Sequence, residues 1–125
     1  MKKIFIVDDD TAILEVTKTV LKKKGFEVET ASTGQQALEK IGQFKPDLML
    51  LDIMMPEMPP KKIIENIRSR GLEVKIIYFS ALKKENEIEK HLRQDLVSEE
   101  DKDYVVGYLE KPFTTDALLK KISNS

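Results

Sequence analysis

Three stretches of this chain are apolar at every position: Ile4-Phe5-Ile6-Val7, Leu48-Met49-Leu50-Leu51 and Ile76-Ile77-Tyr78-Phe79. A strand with one wet face alternates polar with apolar residues, so an unbroken apolar run of this length reads as a strand covered on both faces. Two further runs differ. Phe26-Glu27-Val28-Glu29 alternates apolar with charged residues, and Val105-Val106-Gly107-Tyr108-Leu109-Glu110 holds a glycine and ends in charge. Both read as edge strands. Amphipathic stretches lie between the runs, with stripes at Ile13, Val16 and Val20, at Ala37, Leu38 and Ile41, at Ile63, Ile64 and Ile67, at Ile88, Leu92 and Leu96, and at Leu118, Leu119 and Ile122. Their spacing is that of helices burying one face.

Strands alternating with helices require right-handed crossovers and hence a parallel sheet with helices on both sides. With the second and fifth strands at the edges, the expected fold is α/β: a flavodoxin-like, doubly wound, five-stranded parallel sheet in the order 2-1-3-4-5, with five helices. The 125 residues form one expected domain, 1–125, with no room for a second. Local signals agree with these boundaries. Asp10 can cap the first helix; Lys22-Lys23-Lys24 occupies its last turn and Gly25 stops it; Ser32 or Thr33 starts the second. In the irregular stretch 95–103, Ser98 followed by Asp101 resembles a capping box, so a short helical turn is expected there.

In an open parallel sheet, ligands bind outside the carboxyl ends of the strands, beside the reversal of strand order. Asp8 and Asp9 follow the first strand, Asp52 ends the third, Ser80 ends the fourth, and Lys111 follows the fifth. Clustered carboxylates raise one another's pKa unless a cation lies among them. The chain has no cysteine, so the available ligands are hard oxygens, suited to Mg2+ or Mn2+. A lysine and a hydroxyl beside such an ion supply the charge and hydrogen bonding that a transferring phosphoryl group needs. Net charge is −1, from 21 basic and 22 acidic residues, which offers no global field for nucleic acid or a membrane surface. The four-residue apolar run at the N-terminus is too short for a signal peptide or a membrane span, so a cytoplasmic protein is expected.

At these positions the sequence resembles the receiver domains of two-component response regulators, over residues 4–122. The matching motifs are IFIVDDD, the A-x-x-G-x-x-A-L of residues 31–38, PDLMLLDIMMP at 46–56, Ser80-Ala81, and GYLEKPF at 107–113. The resemblance implies that Asp52 is the phosphoacceptor, with Asp9, Asp52 and the main-chain carbonyl of Met54 as direct metal ligands and Asp8 contacting the ion mainly through water. It implies that Lys111 and Ser80 bond phosphoryl oxygens, that Tyr108 is a switch aromatic whose rotamer follows Ser80, and that the Lys111-Pro112 bond is cis. The donor would be a phosphohistidine of a sensor histidine kinase or histidine phosphotransfer protein. The domain would catalyse only its own phosphorylation and dephosphorylation, and so would not be an enzyme with a separate substrate. Met54 and Leu82 occupy two variable positions that influence water access to the acyl phosphate in this family, and both are apolar, so slow autodephosphorylation is expected.

The chain departs from the family pattern in three places. Pro59-Pro60 replaces the customary Asp-Gly, serine stands at the hydroxyl position where threonine is commoner, and the stretch from Ser80 to Lys111 is longer by roughly two helical turns. The apolar stripe of the last helix ends at Ile122, so output is expected through the domain's own surface to a protein target. Two other readings compete. One is a pseudo-receiver interaction module. The other is a haloacid-dehalogenase-like phosphatase, for which Asp8 and Asp10 fit an Asp-x-Asp-x-Thr motif but position 12 is alanine.

Overall fold

The computed structural model describes residues 2–55, 57–80 and 100–125, Ser80 by its backbone alone. In chain order the elements are β1 (Lys3–Val7), α1 (Thr11–Lys23), β2 (Glu27–Ala31), α2 (Gly34–Phe44), β3 (Leu48–Asp52), α3 (Pro60–Ser69), β4 (Lys75–Ser80), a short 3-10 turn (Lys102–Tyr104), β5 (Val105–Glu110) and α4 (Thr115–Ser123). All strand pairs are parallel and the sheet order is β2-β1-β3-β4-β5, so the two alternating or glycine-containing runs do form the edges. The helix expected at Ile88, Leu92 and Leu96 lies outside the described residues. No helix among the described residues is long and apolar enough to cross a membrane.

The period of two along the wholly apolar strands divides the core. Phe5, Val7, Met49, Leu51, Ile76 and Tyr78 face α2 and α3, packing on Ala37, Ile41, Ile63, Ile64 and Ile67. Ile4, Ile6, Leu48, Leu50, Ile77 and Phe79 face α1 and α4, packing on Leu14, Leu21, Leu118 and Ile122.

Helix ends follow the sequence signals. Asp10 caps α1 by accepting from the N–H groups of Ala12 and Ile13, and Thr33, not Ser32, caps α2 through the Gln36 N–H. After α1, Gly25 takes φ +93°, and Phe26 N–H returns to the Leu21 carbonyl, a Schellman closure that a residue with a Cβ would strain. Pro59 is the N-cap of α3 and Pro60 its first residue, where the missing N–H has no intrahelical partner to lose.

One polar group in α1 is poorly placed. Thr17 is buried, and its hydroxyl has no hydrogen-bond partner among the described residues. An unpaired buried hydroxyl costs more than the methyl that could replace it. Thr17→Val, which keeps the branched shape, is expected to stabilise the protein by about 1 kcal/mol; a lower urea midpoint for the variant would contradict this.

Ser98, on which the turn expected in 95–103 rests, lies outside the described residues; a 3-10 turn spans Lys102–Tyr104, and Asp101 stands at its N-cap without a side-chain cap bond. Asp101 instead points inward: it is fully buried and pairs with Arg68 Nε of α3 at 2.5 Å. Its neighbour Glu100 reaches the same guanidinium at 3.4 Å, and the Tyr104 hydroxyl donates to the Leu72 carbonyl. The chain entering β5 is thereby fastened to the end of α3 and the loop that follows it. No local sequence pattern points to the Arg68–Asp101 pair, because the two residues are distant in sequence.

Candidate functional site

The strand register builds one acidic corner. Val7 pairs with Leu51, so the next residues, Asp8 and Asp52, leave β1 and β3 side by side. Both continue the face that carries Ile6 and Leu50. Each carboxylate then turns back on its own chain: Asp8 Oδ1 accepts the Asp10 N–H at 2.9 Å and Asp52 Oδ1 accepts the Met54 N–H at 3.0 Å. Aspartate is suited to these two-residue turns because its short side chain reaches the amide two residues on.

Lys111, one residue past β5, closes the corner. Its ammonium lies 2.5 Å from Asp8 Oδ2 and 3.8 Å from Asp52 Oδ1. The same nitrogen stands over the Phe79 ring at 4.4 Å, and that ring lies beside Phe113. Phe79 therefore forms an apolar, electron-rich floor beneath the cation. The apolar run marks Phe79 only as a core residue; its place under Lys111 follows from its pairing with Asp52 at the end of β4. The Lys111-Pro112 bond is cis.

Asp8 and Asp52 are buried, whereas Asp9 is exposed, yet one carboxylate oxygen from each of the three lies within 4.8 Å of the others. Three carboxylates and one ammonium leave two negative charges without a counter-charge among the described residues, in a partly dry corner. The Asp52 carboxyl is pushed up from 3.8 to about 6, first by burial and further by the charge of Asp8, against the lowering effects of the Met54 N–H and Lys111. An all-oxygen donor set with excess negative charge fits a hard divalent cation.

The other residues expected at the site are placed less uniformly. Met54, two residues after Asp52, is largely exposed, 57% accessible. Ser80 ends β4 opposite Glu110, at the same rim, and its side chain lies outside the described atoms. Tyr108 is buried on the opposite face of the sheet from Phe79, in register with Tyr78 and packed with the α2–α3 side of the core. Leu82 lies outside the described residues.

Sequence reading also missed a contact on the rim between α2 and the β3–α3 loop. The Glu57 carboxylate accepts the Gly34 N–H, the first amide of α2. The only local hint was the glycine itself.

The sequence profile of the response regulator receiver domain matches residues 4–123. The alkaline phosphatase synthesis transcriptional regulatory protein PhoP of Bacillus subtilis is 34% identical over 113 residues, covering 90% of this chain and 43% of that protein. Response regulator MprA of Mycobacterium leprae is 33% identical over 123 residues, covering 96% of this chain and 49% of that protein. The chain thus spans about half the length of the curated relatives it matches. Among solved structures, the response regulator protein TrrA of Thermotoga maritima, in complex with Mg(2+)-BeF, is similar with a TM-score of 0.78 and 33% identity over 99% of this chain and 98% of that one. The chemotaxis protein CheY4 of Vibrio cholerae gives a TM-score of 0.82 at 28% identity, with 99% and 98% covered. A profile match over nearly the whole chain, joined to an Asp8–Asp9–Asp52–Lys111 corner at the rim of a 2-1-3-4-5 sheet, establishes that this chain belongs to the receiver domain family of two-component response regulators.

Proposed function

We propose that this domain is a cytoplasmic phosphoacceptor that takes a phosphoryl group from the phosphohistidine of a sensor histidine kinase or phosphotransfer protein onto Asp52, in a Mg2+-dependent reaction. The observation that carries the proposal is the unequal commitment of the two buried carboxylates. Asp8 uses both oxygens, one on the Asp10 N–H and one on Lys111, whereas among the described residues the Met54 N–H and the Lys111 ammonium both approach ionised Asp52 at Oδ1. Oδ2 is then the nucleophile, and Oδ1 is held still by the Met54 amide. This asymmetry also argues against the phosphatase reading, which needs Asp8 as nucleophile and Asp10 as acid, because Asp10 is occupied as the cap of α1.

Asp9, Asp52 and the main chain at Met54 would hold the ion directly, with Asp8 behind them. Bound there, Mg2+ supplies positive charge against the carboxylates and the incoming phosphoryl oxygens. Lys111 shifts its ammonium between Asp8 and an equatorial phosphoryl oxygen, and Asp52 Oδ2 forms the new O–P bond as the N–P bond to the donor imidazole breaks. Ser80 hydrogen-bonds a second phosphoryl oxygen, and Tyr108 is the aromatic that follows it. The domain turns over no other substrate. The exposed, apolar Met54 side chain beside Asp52 offers an attacking water no polar anchor, which supports slow loss of the phosphoryl group.

Incubation with acetyl phosphate and Mg2+, read by intact mass, is expected to add one phosphoryl group to the wild type and none to Asp52→Ala. Labelling that persists in Asp52→Ala and disappears in Asp8→Ala would favour the phosphatase chemistry. No labelling and no Mg2+ binding in the wild type would make the domain a pseudo-receiver.

A further inference from the structure

The segment between Asp52 and α3 is held at both ends. On the Asp52 side, Ile53 and Met55 are buried in the core while Met54 stays exposed and gives its N–H to Asp52. On the α3 side, Pro59 and Pro60 fix φ at the helix entrance. Between these anchors, Glu57 and Met58 rest on the start of α2. Glu57 accepts the Gly34 N–H, which as the first amide of a helix has no intrahelical partner and sits at the positive end of the helix dipole. Met58 lies so close that a Cβ on Gly34 would stand 2.8 Å from Met58 Cβ and 2.9 Å from its Sδ. Only glycine fits beneath this loop, although the φ of Gly34 is not positive and the backbone alone would admit other residues.

From this two-point seat we infer that Glu57 is a positioning residue for metal binding: by clamping the β3–α3 loop onto α2, it fixes the main chain at Met54 where the ion's ligand is needed. The inference rests on the phosphoacceptor reading above. Mg2+ demands near-ideal octahedral oxygen geometry, so a loop already set in place binds it more tightly than one that must be ordered on arrival. Glu57 does not touch the ion; it acts through the chain it holds, as outer partners of metal ligands do.

The test is Mg2+ titration by calorimetry of the folded wild type, Glu57→Ala, Glu57→Gln and Gly34→Ala, with urea unfolding in parallel. Glu57→Ala is expected to bind Mg2+ about tenfold more weakly, the lower end of what outer partners contribute. Glu57→Gln keeps an acceptor for the Gly34 amide and is expected to retain most of the affinity. Gly34→Ala keeps the Glu57 charge but forces Met58 outward, and is expected to weaken Mg2+ binding as well. An unchanged affinity in Glu57→Ala overturns the inference. So does an equal loss in Glu57→Gln and Glu57→Ala, which would assign the effect to charge alone. A wild type that binds no Mg2+ would overturn the phosphoacceptor reading together with this one.

Discussion

Asp52→Asn is expected to make the metal-free protein more stable at neutral pH, by about 2 kcal/mol, while removing its capacity to be phosphorylated. The reason lies in the corner that Asp52 shares with Asp8. The carboxyl titrates near 3.8 in the unfolded chain and near 6 in the folded one. Below 3.8 it is protonated in both states and carries no penalty. As pH rises toward 6 the unfolded chain gives up this proton first, so the stability of the wild type falls over that window and then levels. Asparagine keeps an oxygen for the Met54 N–H and carries no charge to place beside Asp8. The measurement is urea unfolding of both proteins from pH 3.5 to 8 in a chelator, taking the difference at each pH. It should be near zero at the acid end and grow in favour of Asp52→Asn up to about pH 6. A difference that is flat with pH would rule the explanation out. Mg2+ should narrow the gap by stabilising the wild type alone, since a ligand bound only by the folded state adds stability through mass action.

Lys111→Ala is expected to act in the opposite direction and harder. Asp8 has no exposed surface and, among the described residues, pairs with no cation but Lys111, so the variant leaves a buried carboxylate beside a second one. Breaking one partner out of a buried pair costs roughly 3–5 kcal/mol; Lys111 keeps 14% of its side chain in contact with solvent, which places the expected loss near the lower figure, about 3 kcal/mol. Adding Asp8→Asn should recover most of that loss, because the double variant no longer buries an unpaired charge there. Failure of the second substitution to rescue would show that Lys111 stabilises by packing on Phe79 and not through Asp8. Phosphorylation of the single variant by acetyl phosphate at saturating Mg2+ should slow by about two orders of magnitude, the scale set by removing one donor to developing charge.

The parts of this protein legible in the sequence are those that depend on period and on strand ends. Wholly apolar runs marked the interior strands, alternation marked the edge at β2, and the rule that ligands gather at strand carboxyl ends picked out Asp8, Asp9, Asp52 and Lys111, which the fold does bring together. What stayed hidden were contacts between residues that no local pattern connects. No local pattern joins Asp101 to Arg68 or Glu57 to Gly34, and none marks the Thr17 hydroxyl as lacking a partner among the described residues. Each depends on which elements become neighbours after folding, and that is information of topology, not of spacing.

The Arg68–Asp101 pair gives the fold a fixed mooring at the foot of β5. Glu100 and Asp101 are tied to α3 just before the strand that carries Tyr108 and leads to Lys111 begins. The anchor thus acts with the sheet to hold β5 in register on β4, so that the Lys111 ammonium at the strand's far end stays beside Asp8 and Asp52.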